Sequence, residues 1–225
     1  MRIGILGCDA IRAEIESVTA GEHDVVFREY IEFGLHIRPD ELRKVILEKL
    51  AGLEGMVDVV FLGYGYCQSL KDIKGQVRVP VIMLEYEDCI AAMLTTERYH
   101  SEKKNGGITW FYPAGWAKNG MPGMVRLFDL DCMSGEGYQP EYFLKMMFDG
   151  FTRCLFIETG AGDTEACRCH SEKFAQTLCL RHEHMVGSLD LMREAWSKTK
   201  ALALELEGSG AIDPTGFGAD PITSR

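Results

Sequence analysis

Three short apolar runs, "RIGILG", "VDVVFLG" and "VPVIMLE", each end at a glycine or a glutamate, and each is followed within a few residues by a cysteine. Runs this short leave little room for a helix. Their near-continuous apolarity suits strands buried on both faces. Helical patterns lie between them. The clearest is "HIRPDELRKVILEKLAGL", where Leu42, Val45, Ile46, Leu50 and Leu53 recur at helical spacing. Pro39 suits its first turn, and Asp40 and Glu41 favour the positive end of its dipole. Strands alternating with helices predict a parallel sheet covered on both faces.

The second half repeats the style without repeating the residues. "TTERYHSEKKNGG" is polar, charged and ends in glycines, so it reads as a boundary between lobes. "GITWFYP" and "RCLFIETG" read as strands, "HEHMVGS" as a short one, and Ala114–Gly123 as a loop rich in glycine and proline. "PEYFLKMMFDGF" reads as a helix opened by Pro140. Asp163 caps the next helix, and Ser188 caps the last. The expected fold class is α/β, with two Rossmann-like lobes whose mainly parallel sheets are flanked by helices. The N-terminal lobe covers 1–95, the C-terminal lobe 96–206, and a Gly/Pro-rich flexible tail 207–225.

With 225 residues the chain is long enough to bury a substantial core. Its net charge of −10 repels phosphate backbones, so nucleic acid is not an expected partner. No apolar stretch approaches the ~20 residues of a membrane span. Residues 1–6 read as a core strand and not as a signal peptide, so the expected location is cytoplasmic. In that reducing compartment the eight cysteines are not expected to form disulfides. They are then either small buried residues or metal ligands.

Position favours ligation for three of them. In a parallel sheet all strands end on one edge, and ligands bind in the crevice there. Cys8, Cys67 and Cys89 each lie just past a strand end, so their separation in sequence does not keep them apart. Three thiolates leave one position open, either on a zinc ion or on one iron of a [4Fe–4S] cluster. His36, between a strand and the long helix, can reach the same edge as a fourth ligand or a proton donor. Glu87 offers a general acid or base beside Cys89. Tyr64, Tyr66, Gln68 and Asp88 are candidates for binding substrate, and Asp88 also suits a helix N-cap. Cys167 and Cys169 in "CRCH" sit two residues apart on a helix and so do not face each other.

With these residues in view, the chain resembles the domain-of-unknown-function 1638 family. The resemblance lies in Gly7-Cys8, "LHIRPDEL", "GYGYCQ", "YEDCIAAML", "GITWFYPAGW", "YFLKMMFDGFTRCLFIETG" and "MVGSLDLM". It spans residues 1 to about 205. The family pattern has asparagine where this chain has Ile37 and glycine where it has Gln68. The resemblance implies an association with corrinoid-dependent methyl transfer. The expected function is then a metal-binding protein, an enzyme or enzyme partner in one-carbon methyl metabolism. The alternatives are a non-catalytic accessory protein and a sulfur-handling iron–sulfur enzyme. Expected partners are a small-molecule substrate, a corrinoid or methyltransferase protein, and a second copy in a homo-oligomer. The chain has no "D-x-H-x-x-G" motif through which to bind corrinoid itself.

Overall fold

The computed structural model describes residues 1–66, 68–130, 132, 137 and 139–209. The first lobe is built on β1 (Ile3–Cys8), α1 (Arg12–Val18), β2 (Val25–Ile31), α2 (Pro39–Gly52), β3 (Val59–Gly63) and β4 (Val81–Met83). The strands form one sheet in the order β2-β1-β3-β4. Every pair is parallel, with Leu6 opposite Leu62 and Leu62 opposite Met83. The three apolar runs are therefore parallel neighbours, as their alternation with helices predicts. Both β1 and β3 are buried along their whole length, which explains why neither alternates polar with apolar. Pro39 opens α2 at its first position, and Leu42, Ile46 and Leu50 are its buried side.

Two helices follow, α3 (Cys89–Leu94) and α4 (Thr96–Asn105). The polar stretch expected to be a boundary is thus mostly helix. In α4 only Tyr99 is buried, so the helix carries no apolar stripe to read. Its start is marked instead by the Thr95 hydroxyl, which accepts from the Arg98 N–H at 3.4 Å.

The second sheet is β5-β6-β7, from Thr109–Tyr112, Arg153–Glu158 and Arg181–Val186, again all parallel. Between β5 and β6 lie α5 (Ala114–Leu127) and α6 (Pro140–Met147). The segment expected to be a loop is α5. Its glycines and proline break the helix without abolishing it, for Gly120 is non-helical at φ 50°, ψ −155° and Pro122 follows. After β6 comes α7 (Thr164–Thr177), capped by Asp163, whose carboxylate accepts from the Ala166 N–H at 3.1 Å.

The last helix, α8 (Asp190–Gly208), returns to the first sheet and packs on β3 and β4. Trp196 meets Phe61 edge-on at 5.6 Å. Its indole N–H and the Lys200 ammonium both reach Glu22, at 3.1 and 2.7 Å. The N-terminal ammonium pairs with Glu207 at 2.9 Å. Of the expected tail, residues 210–225 lie outside the described residues. Buried side chains from both sheets form one continuous apolar cluster. Among the described residues no helix is long and apolar enough to cross a membrane.

Candidate functional site

The C-terminal ends of β1, β3 and β4 meet at one place. Cys8 is the final residue of β1 and is buried. Past β3 the chain runs beside the segment past β4. The Leu84 N–H donates to the Tyr64 carbonyl at 3.1 Å, and the Tyr66 N–H to the Tyr86 carbonyl at 2.7 Å. Gly65 permits this approach, because a Cβ there would lie 2.6 Å from the Asp88 backbone. Asp88 then caps α3, accepting from the Ala91 N–H at 2.8 Å, and its other oxygen accepts from the Tyr99 hydroxyl at 2.6 Å. Cys89 is the first residue of that helix and is half-buried.

His36 lies in a short 3₁₀ turn, Phe33–Ile37. Its Nε2 is 3.3 Å from Cys8 Sγ. Its ring stacks on Phe33 at 4.8 Å and on Tyr64 at 5.8 Å. Burial pulls its pKa down to about 4, so the imidazole is neutral at neutral pH. A neutral imidazole is the form that ligates a metal or accepts a proton.

These groups surround one cavity of about 370 Å³. Cys8, His36, Tyr64, Asp88 and Cys89 line it from the first lobe, and Trp110, Phe111, Trp116 and Phe151 from the second. Five of the residues singled out in the sequence are thus brought together: Cys8, His36, Tyr64, Asp88 and Cys89. Cys67 lies outside the described residues, as does the side chain of Gln68. Glu87 is not on the cavity and pairs with His100 at 2.6 Å. Tyr66 is exposed and donates to Glu85 at 3.3 Å.

The "CRCH" cysteines stay away from this site. Cys167 is buried, its thiol donates to the Ala114 carbonyl at 3.6 Å, and burial pushes its pKa up to about 11. Cys169 is exposed, 3.8 Å from Glu165. Cys154 is buried within β6, and burial pushes its thiol up to about 12.

Two thiols and a neutral imidazole on one wall are a soft donor set suited to zinc or to an iron–sulfur cluster. The 3.3 Å from Cys8 Sγ to His36 Nε2 is close to the ~3.6 Å edge that a tetrahedral zinc with ordinary Zn–S and Zn–N lengths would have. Among the described residues, no three His, Cys, Asp or Glu side chains already converge on one ion position. Cys8, His36 and Cys89 share the cavity without closing round a single ion.

The aromatic wall from the second lobe does not follow from local spacing. Its sequence signal is the crowding of Trp110, Phe111, Tyr112 and Trp116 within "TWFYPAGW". A second group missed by the sequence reading is Glu14 on α1. It is fully buried, and its Oε2 has no partner among the described residues.

A family model described as "Protein of unknown function (DUF1638)" matches residues 30–196. The chain belongs to that family. No curated protein and no solved structure matches it. The matched span of this DUF1638 chain includes His36, Tyr64, Asp88, Cys89 and the whole aromatic wall of the cavity.

Proposed function

We propose that the cavity between the lobes holds a thiolate-bound metal centre, zinc or a [4Fe–4S] cluster, with Cys8, Cys67 and Cys89 as its protein ligands. One observation carries the reading. Cys8 and Cys89, far apart in sequence, line the same cavity at the C-terminal edge of one parallel sheet. The chain leading to Cys67 is hydrogen-bonded along that edge at Leu84 and Tyr86. Zinc would supply a Lewis acid that activates a thiol or water, and a cluster would supply an open iron that binds substrate or passes electrons.

The protein's own groups supply the rest. His36 presents a neutral ring nitrogen beside Cys8 as a further ligand or a proton acceptor. The family resemblance supports a role as an enzyme or enzyme partner in corrinoid-linked one-carbon metabolism, acting in the cytoplasm.

Metal and sulfide analysis of anaerobically purified protein tests the centre. Brown protein with iron and sulfide identifies a cluster. Colourless protein with one zinc per chain identifies the Lewis-acid form. Metal-free protein would overturn the reading and leave a docking protein without chemistry of its own.

A further inference from the structure

The cavity wall has a composition that thiolate ligation does not explain. A belt of rings crosses it from one lobe to the other. Tyr64 stacks on His36, His36 on Phe33, Phe33 meets Trp116 at 3.7 Å, and Trp116 meets Trp110 at 5.2 Å. The last two contacts are steep, at 64° and 70°, so the three rings stand as walls at a corner and not as a flat stack. No lysine or arginine lines the cavity among the described residues.

Asp88 is the charged group on the wall. Its carboxylate is held by two neutral donors, the Ala91 N–H and the Tyr99 hydroxyl, and forms no ion pair among the described residues. Each oxygen keeps a lone pair for a further partner. Aromatic rings beside a carboxylate that is held only by neutral donors complement a cation whose charge is spread over apolar surface. A primary ammonium or a guanidinium needs acceptors for several N–H groups. Half of the described lining residues carry rings, which suit methyl groups, and Asp88 is the one carboxylate among them.

We propose that this cavity binds a small quaternary or trimethylated ammonium compound, with the rings of Phe33, Trp110 and Trp116 round its methyl groups and Asp88 as counter-charge. The inference rests on the small-molecule role proposed for the cavity, though not on which metal is present. About 370 Å³ lies within the usual range for a small-ligand pocket.

The test compares choline with its uncharged isostere, 3,3-dimethylbutan-1-ol. Each is titrated calorimetrically into the purified full-length protein, with tryptophan emission followed in parallel. Choline is expected to bind about tenfold more tightly than the alcohol, in line with a desolvated cation–π contact plus the carboxylate. Asp88→Asn, which still caps α3, is expected to lose about that factor for choline and nothing for the alcohol. Equal binding of the two probes by the parent protein overturns the inference, and so does an Asp88→Asn variant that keeps its preference for choline. Binding to phosphatidylcholine vesicles without binding of free choline also overturns it, by assigning the headgroup to a membrane. Metal content measured on the same sample separates the two proposals. Full metal with no choline binding removes this one alone, and choline binding by metal-free protein removes the metal centre alone.

Discussion

Thr159, just past the end of β6 in the second lobe, donates a 3.3 Å hydrogen bond to Glu14 Oε1 on α1 of the first. The carboxyl is fully buried at the junction, and desolvation raises its pKa to about 7 from 4.5. The Cys167 thiol is held protonated mainly by burial, and the charge of Glu14 adds to that. Between those two pH values the folded state keeps a proton that the unfolded chain has released. Stability therefore falls as pH rises from about 4.5 to about 7, and levels off above. The full penalty is on the order of 3 kcal/mol. Glu14→Gln should abolish this slope, and it should be more stable than the parent at pH 8 but not at pH 4. Urea midpoints at several pH values measure it, and parallel curves for the two proteins would refute it.

Gly115 sets how closely α5 meets the turn after β1. A Cβ there would run into the carbonyl oxygens of Ala10 and Asp9. Backbone on both sides cannot yield as a flexible side chain can. Gly115→Ala should destabilise the protein by about 1–3 kcal/mol. Because Trp116 is the next residue and lines the cavity, its emission should also shift to the red. A variant with unchanged melting and emission would show that the lobes tolerate separation.

The centre of the first sheet was legible because β1 and β3 are buried on both faces and so appear as unbroken apolar runs, whereas the edge strand β2 carries Arg28 and Glu29 and is only partly buried. That strands β1, β3 and β4 share an edge followed from topology, and with it the meeting of Cys8 and Cys89. Other parts had no local signal. Helix α4 buries only Tyr99, so no apolar period marks it. Helix α5 carries Gly115, Gly120, Pro122 and Gly123, which suggest a loop until packing against α7 and the Asp9–Ile11 turn outweighs propensity. Helix α8 follows the second sheet in sequence yet packs on the first, a choice made by contacts such as Trp196 with Phe61. The aromatic half of the site was hidden for the same reason. It is contributed by a lobe whose placement over the first is a tertiary event.

Arg153 anchors the second sheet. Its side chain is 4% exposed and pairs with Glu102 at 2.7 Å and Glu183 at 2.6 Å. It also donates to the Thr109 hydroxyl at 2.8 Å, tying α4, β5 and β7 together. Arg153→Ala leaves Glu102 without its cationic partner and Glu183 with Arg181 alone, at 2.5 Å. Both are partly exposed and can rehydrate, so the cost should fall at the lower end of the range for broken buried pairs, about 3 kcal/mol. Glu183→Gln, which keeps a hydrogen-bonding oxygen, should cost less. Denaturant unfolding of the two variants gives the order, and the reverse order would refute the assignment of Arg153 as the anchor.

The cysteine assignment makes a selective prediction. Cys8 and Cys89 line one cavity, and Cys67 follows the segment hydrogen-bonded along its edge. Cys169 is exposed on α7, beside Glu165. Cys8→Ala, Cys67→Ala and Cys89→Ala should each strip most of the metal, because a two-thiolate remnant holds it poorly. Cys169→Ala should leave metal content intact. His36→Ala should weaken retention about 10- to 100-fold in affinity if the ring supports the site as an outer partner, and more if it ligates directly. Metal per chain is measured after dialysis against a chelator, with circular dichroism to confirm that each variant is folded. Metal kept in all three of the first variants, or lost in Cys169→Ala, would reduce the three cysteines to small residues at strand ends.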